Sequence, residues 1–163
     1  MLYFSFGSNM SSKRLFQRID ATRIGVAVLS NHKLCFHKYA ESDNSGKCDI
    51  LLTNNKNDFV LGVVYKIDES QKTILDKYEG LGYGYDIKTV PVLLNGTKQS
   101  VFTYFATSID PSLKPYHWYK QHVLEGAREN EFPEEYVAFI ENVPSIKDKN
   151  YERATRELAI YSI

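Results

Sequence analysis

Asn95-Gly96 joins two apolar, β-branched runs, residues 87–94 and 97–106, and that dipeptide leaves the chain few options. A two-residue connection between strands needs positive φ at both turn positions, which Asn and Gly tolerate best, so the pair predicts a type I′ hairpin. Further strand-like runs precede it at residues 2–6, 23–29, 33–37, 49–53 and 59–67. The last two flank "NNKND", which reads as a second hairpin turn, so they are expected to pair antiparallel. Residues 40–47, polar around Gly46, read as a loop and as the stretch expected to be least ordered.

Helical patterns are sparser before residue 106 and dominate after it. Ser11 or Ser12 can cap a helix with Leu15, Phe16 and Ile19 on its apolar face and Lys13, Arg14 and Arg18 on the opposite one. In "DESQKTILDKYEG", Asp68 is an N-cap, Ile74, Leu75 and Tyr78 recur at helical spacing, and Gly80 is a stop. After Pro111 the pattern predicts helices over 115–129, from Pro133 to near Asn142, and over 148–160. Strands followed by helices predict an α+β fold: a mixed, largely antiparallel sheet closing toward a barrel, flanked by helices. A chain of 163 residues is long enough for one core and short for two, so 1–163 reads as a single domain.

Twenty Lys plus Arg balance twenty Asp plus Glu. No global field draws such a chain to nucleic acid or an anionic membrane, so a small-molecule partner is expected. Twelve Tyr supply flat apolar faces with hydroxyl tips, which suit a pocket. The two cysteines, Cys35 and Cys48, lack CxxC spacing and read as free thiols. His32/His37 and His117/His122 are each five apart, which aligns no two ligands on one face, so no metal is expected. With no signal-peptide pattern at the start and no apolar run of about 20 residues, a cytoplasmic location is expected.

Two local features carry candidate chemistry. "YFSFGSNM" runs a strand into Gly7-Ser8-Asn9, a turn-forming tripeptide that serves equally as a ligand-binding loop or an ordinary turn. Ser8 lacks the GxSxG surroundings of a nucleophile elbow, and the loop lacks the glycines and lysine of a phosphate cradle. Glu79, between Tyr78 and Gly80, sits where a helix C-terminus disfavours a carboxylate. Burial among Tyr78, Tyr83 and Tyr85 would push its pKa the same way and equip it for acid/base work near neutral pH; the competing reading is an exposed surface charge.

"YFSFGSNM", "LDKYEG" and "YHWYKQHVLEGARENEFPEEY" together resemble, in that order from Tyr3 to about Tyr136, the gamma-glutamylcyclotransferase (AIG2-like) family. The resemblance implies that Glu79 is the catalytic acid/base, that Phe6, Gly7, Ser8 and Asn9 form the substrate loop, and that Tyr85, Tyr104 and Tyr119 are pocket tyrosines, with Asp86 competing for the place of Tyr85. It further implies no cofactor, a homodimer, and a reaction in which the α-amine of a gamma-glutamyl group attacks its own gamma-carbonyl and releases 5-oxoproline. Phe6 departs from the Tyr usual in the family, and Asn9 points to gamma-glutamyl amino acids or amines rather than glutathione. The alternative is a non-catalytic small-molecule binding or interaction protein that keeps the fold. Residues 144–163, a further helical segment, add nothing to the resemblance.

Overall fold

The computed structural model describes residues 1–162. In chain order it contains β1 (Leu2–Ser5), a 3-10 turn (Ser8–Met10), α1 (Ser12–Leu15), β2 (Thr22–Ser30), β3 (His32–Ala40), β4 (Ser45–Leu52), β5 (Phe59–Lys66), α2 (Glu69–Glu79), β6 (Tyr85–Leu94), β7 (Thr97–Ala106), α3 (His117–Glu129), α4 (Glu134–Glu141) and α5 (Tyr151–Ala159). Five strands close a barrel in the order β1-β5-β2-β6-β7, and β3 with β4 forms a separate two-stranded sheet. The α+β expectation and the closing sheet both hold.

The Asn95-Gly96 hairpin forms as expected, with φ of 49° and 77° at the two turn residues and Leu94 opposite Thr97. The second expected hairpin does not form. β5 is buried from Val60 to Tyr65, and a strand so enclosed needs neighbours on both edges. It takes β1 on one side, with Tyr3 opposite Tyr65, and β2 on the other, with Val26 opposite Val63. β4 pairs instead with β3, Leu34 opposite Ile50. The barrel closes where Tyr3 meets Phe102 of β7 in parallel.

The loop expected to be least ordered is a tight turn. Asp43 accepts bonds from Ser45 N (3.1 Å), Ser45 Oγ (2.6 Å) and Lys47 Nζ (2.7 Å), so the polar residues that suggested mobility fasten the turn to β4. α1 is a single turn. Leu15 and Ile19 are buried but Phe16 is 52% exposed, against the expected apolar face. Arg14 and Arg18, expected on a solvated face, turn inward because each finds a carboxylate, Glu157 and Glu79. On α2 only Leu75 is buried, whereas Ile74 and Tyr78 are exposed.

Candidate functional site

The Gly7-Ser8-Asn9 loop is held from behind. The Tyr65 hydroxyl on β5 donates to the Met10 carbonyl at 3.0 Å, and Asn130, just past α3, donates to the same oxygen at 3.3 Å. Glu129 accepts from the Ser12 amide at 3.0 Å. α3 can approach this closely because position 126 is glycine: a Cβ there would stand 2.6 Å from both Met10 Cβ and the Ser11 nitrogen. "GAREN" thus carries the glycine and the two polar side chains that seat the loop on the helix. Gly7 is selected by crowding in the same way. Its φ is −121°, and an added Cβ would lie 2.8 Å from Cys48 Cβ.

Glu79 is the last residue of α2, and Gly80, at φ 68°, ends the helix in a left-handed cap. Its Oε1 accepts from Asn9 Nδ2 at 2.7 Å and from Arg18 Nη1 at 3.3 Å. Arg18 Nη1 also reaches Asn9 Oδ1 at 3.2 Å, and Asn9 Nδ2 the Tyr3 hydroxyl at 3.3 Å. Loop, α2 and the segment after α1 therefore meet on one carboxylate oxygen. Oε2 receives no hydrogen bond among the described residues. The side chain is 15% exposed and carries a cationic partner, so the competing reading of an exposed surface charge gives way to a largely enclosed one. The Arg18 partnership was hidden in the sequence behind a helical face read as solvated.

Glu79, Phe6, Gly7, Ser8, Asn9, Tyr85, Tyr104 and Tyr119 all line one small cavity of about 30 Å³. Asp86 stays outside, exposed, with its carboxylate turned to the Ile87 amide (2.7 Å). Three further lining residues were not expected: Tyr3, Ser5 and Cys48. The tyrosine hydroxyls are committed to the framework. Tyr85 donates to the Cys48 carbonyl at 2.6 Å, Tyr119 accepts from the Cys48 amide at 3.0 Å, and Tyr104 donates to Asp76 at 2.6 Å. Burial pushes all three phenols up, so they act as neutral walls and clamps. Ser5 Oγ, in a residue 1% exposed, has no hydrogen-bond partner among the described residues. Phe6 packs against Phe4 at a ring distance of 6.4 Å and brings no hydroxyl to the cavity.

The cavity opens onto a larger recess of about 330 Å³ that shares Ser8, Glu79, Tyr85 and Tyr119 with it. α5 contributes Arg153 and Glu157 to this recess, a role that no motif announced. Arg14 Nη1 bonds Glu157 at 2.6 Å and His122 Nε2 at 2.8 Å, and His122 Nδ1 lies 2.7 Å from the Tyr161 hydroxyl, which donates to Ser11 Oγ at 3.0 Å. A neutral His122 protonated on Nδ1 donates to Tyr161 and accepts from Arg14, whose guanidinium also bridges its Nε2 to Glu157 Oε2, an acceptor 3.0 Å away. Among the described residues no group of three His, Cys, Asp or Glu side chains is placed to hold a metal ion, and no helix is long and apolar enough to cross a membrane.

The profile of the AIG2-like family matches residues 59–140, from β5 to α4. A Bos taurus gamma-glutamylcyclotransferase is 31% identical over 163 residues, covering 96% of this chain and 84% of its own. The Homo sapiens gamma-glutamylcyclotransferase is 31% identical over 156 residues, covering 92% and 80%. This chain belongs to the AIG2-like, gamma-glutamylcyclotransferase family. A solved gamma-glutamyl cyclotransferase superposes with a TM-score of 0.82 at 27% identity, covering 96% of this chain and 98% of its own. The family profile takes in Glu79 and the three tyrosines but starts after the Gly7-Ser8-Asn9 loop, which only the full-length relatives span. Kinship with them runs past Tyr136, where the resemblance of the motifs stopped.

Proposed function

We propose that this protein is a gamma-glutamylcyclotransferase with Glu79 as its acid/base. The observation that carries the reading is the state of one carboxylate: Oε1 is fixed by Asn9 and Arg18 while Oε2 accepts no hydrogen bond among the described residues, in a side chain that lines the small cavity. The cavity itself is small, about 30 Å³, but it is continuous with a recess of about 330 Å³, a volume at the small end of ligand sites.

The free α-ammonium of a bound gamma-glutamyl group has an ordinary pKa of about 7.7 to 8, within reach of a positioned carboxylate base. Glu79 Oε2 takes its proton. The amine nitrogen attacks the gamma-carbonyl carbon, closing the five-membered lactam through a tetrahedral intermediate. That intermediate loses the second proton of its attacking nitrogen to solvent and expels the former amide nitrogen, which leaves with the proton held by Glu79, so 5-oxoproline and a free amine depart and the carboxylate is restored. Amides of the Gly7-Ser8-Asn9 loop are the donors for the developing oxyanion. Walls fixed by the clamps of Tyr85, Tyr104 and Tyr119 hold the glutamyl chain folded for ring closure.

The test is a panel of gamma-glutamyl amino acids, glutathione and gamma-glutamyl amines, read by 5-oxoproline release. Release from at least one class supports the reading. No release from any, with saturable binding retained, would leave a binding protein on the cyclotransferase fold.

A further inference from the structure

The recess outside the cavity carries five cationic side chains, Arg14, Arg18, Lys38, Lys47 and Arg153. Four have a carboxylate: Arg14 with Glu157 (2.6 Å), Arg18 with Glu79 (3.3 Å), Lys47 with Asp43 (2.7 Å) and Arg153 with Asp148 (2.6 Å). Lys38 has none. Among the described residues its ammonium makes neither ion pair nor hydrogen bond, although the residue is only 8% exposed. What it has is the face of Tyr85, 4.6 Å from the ring centroid.

The backbone builds this arrangement. The β3–β4 register slips between Cys35 and Lys38, and such a bulge re-aims the side chain that follows it. β3 is fixed beyond the bulge by a bridge from Lys38 to Ile109 and by the Tyr39 amide bonding Ser108 at 2.9 Å. Gly84, at φ 127°, leaves the space the lysine occupies, since a Cβ there would stand 2.9 Å from Lys38 Cε. A nearly buried cation without a counter-charge is costly to keep. Burial pushes its pKa down, while Glu79 and Asp43 act at a distance to hold it up.

Its position says what the counter-charge is. Tyr85 and Glu79 line both the cavity and the recess, so the ammonium over Tyr85 stands at the junction between them. On the cyclotransferase reading, on which this inference rests, the leaving nitrogen is protonated beside Glu79 and its substituent projects into the recess. In a gamma-glutamyl α-amino acid that nitrogen bears a carboxylate one carbon away. We infer that Lys38 binds the α-carboxylate of the leaving amino acid and makes the enzyme selective for gamma-glutamyl amino acids over gamma-glutamyl amines.

The test compares gamma-glutamyl-L-alanine with gamma-glutamyl-ethylamine, which differ only by that carboxylate, in wild type, Lys38→Met, Lys38→Gln and Lys38→Arg. Wild type prefers the alanine conjugate in kcat/KM. Lys38→Met and Lys38→Gln lower that preference by about 10- to 100-fold, the size of a lost charge-assisted contact, mainly through KM, and Lys38→Arg restores most of it. A merely structural lysine would lower turnover of both conjugates together and leave the ratio alone, and that result overturns the inference. Product inhibition of wild type gives an answer independent of any variant's folding: L-alanine inhibits more strongly than ethylamine, and equal inhibition contradicts the assignment. Release from neither conjugate nor from glutathione by wild type overturns the cyclotransferase reading itself, whereas release from glutathione alone, or from both conjugates without preference, overturns only the role of Lys38.

Discussion

Gly126→Ala, on the face of α3 packed against Met10 and Ser11, tests whether that helix seats the loop. The new Cβ would stand 2.6 Å from Met10 Cβ, 2.6 Å from the Ser11 nitrogen and 2.8 Å from the Met10 carbonyl carbon. Two of those atoms are backbone, so no side-chain rotation relieves the contact, and ordinary separation requires the loop to retreat by about 1 Å. Overpacking of that kind costs about 1 to 3 kcal/mol, and the better helix propensity of alanine offsets about 1 kcal/mol of it. The net expectation is a loss of about 0 to 2 kcal/mol, a fall of at most roughly one molar in the urea midpoint. Activity falls further than stability. A shift of about 1 Å in a positioning element costs on the order of 100-fold in rate, and the loop carries Asn9, which holds Glu79. Urea unfolding followed by tryptophan fluorescence, with 5-oxoproline release on the same samples, reads both. A variant with unchanged midpoint and unchanged kcat/KM would refute the claim that α3 holds the loop in place.

Two further outcomes follow from the same geometry. Asn9→Ala removes the 2.7 Å bond to Glu79 and the oxygen that Arg18 shares, so kcat drops about 10- to 100-fold while circular dichroism is retained; full activity would show that Glu79 needs no positioning. Burial holds His122 down at about 4 in the fold, against 6.5 in the unfolded chain, with the Glu157 contact opposing. Between those values the unfolded chain binds the proton and the fold does not, so this contribution is complete above about pH 6.5 and is lost as pH falls toward 4, by up to about 3 kcal/mol. Urea midpoints measured from pH 4 to 7.5 should follow that slope, and His122→Gln should flatten it; an unaltered slope in the variant would remove His122 from the account.

Local signals in the sequence translated into structure, and non-local ones did not. Asn95-Gly96 needs only its own backbone preferences to make a turn, as does Gly80 at the end of α2, and both appear where expected. The pairing of β4 with β3 depends on β5 being claimed from both sides by β1 and β2, which no short window reveals. Arg14 and Arg18 illustrate the same limit at the site. Their charges read as a solvated face because their partners, Glu157 and Glu79, lie far along the chain. The residues expected from the family motifs do converge on one cavity, because motif spacing had already encoded that convergence. Tyr3 and Ser5 escaped notice as ordinary strand residues, Cys48 reads only as a free thiol, and Lys38 as one lysine among many.

The central claim is that the free oxygen of Glu79 moves the proton, and the direct measurement is kcat for Glu79→Gln beside wild type on the best gamma-glutamyl substrate, with substrate affinity measured separately by calorimetry. The amide keeps an oxygen to accept from Asn9 and Arg18, so the fold and the affinity should change little. A fall in kcat of about 100- to 10,000-fold with affinity nearly unchanged is the predicted result. A folded variant that turns over within a few-fold of wild type would contradict it.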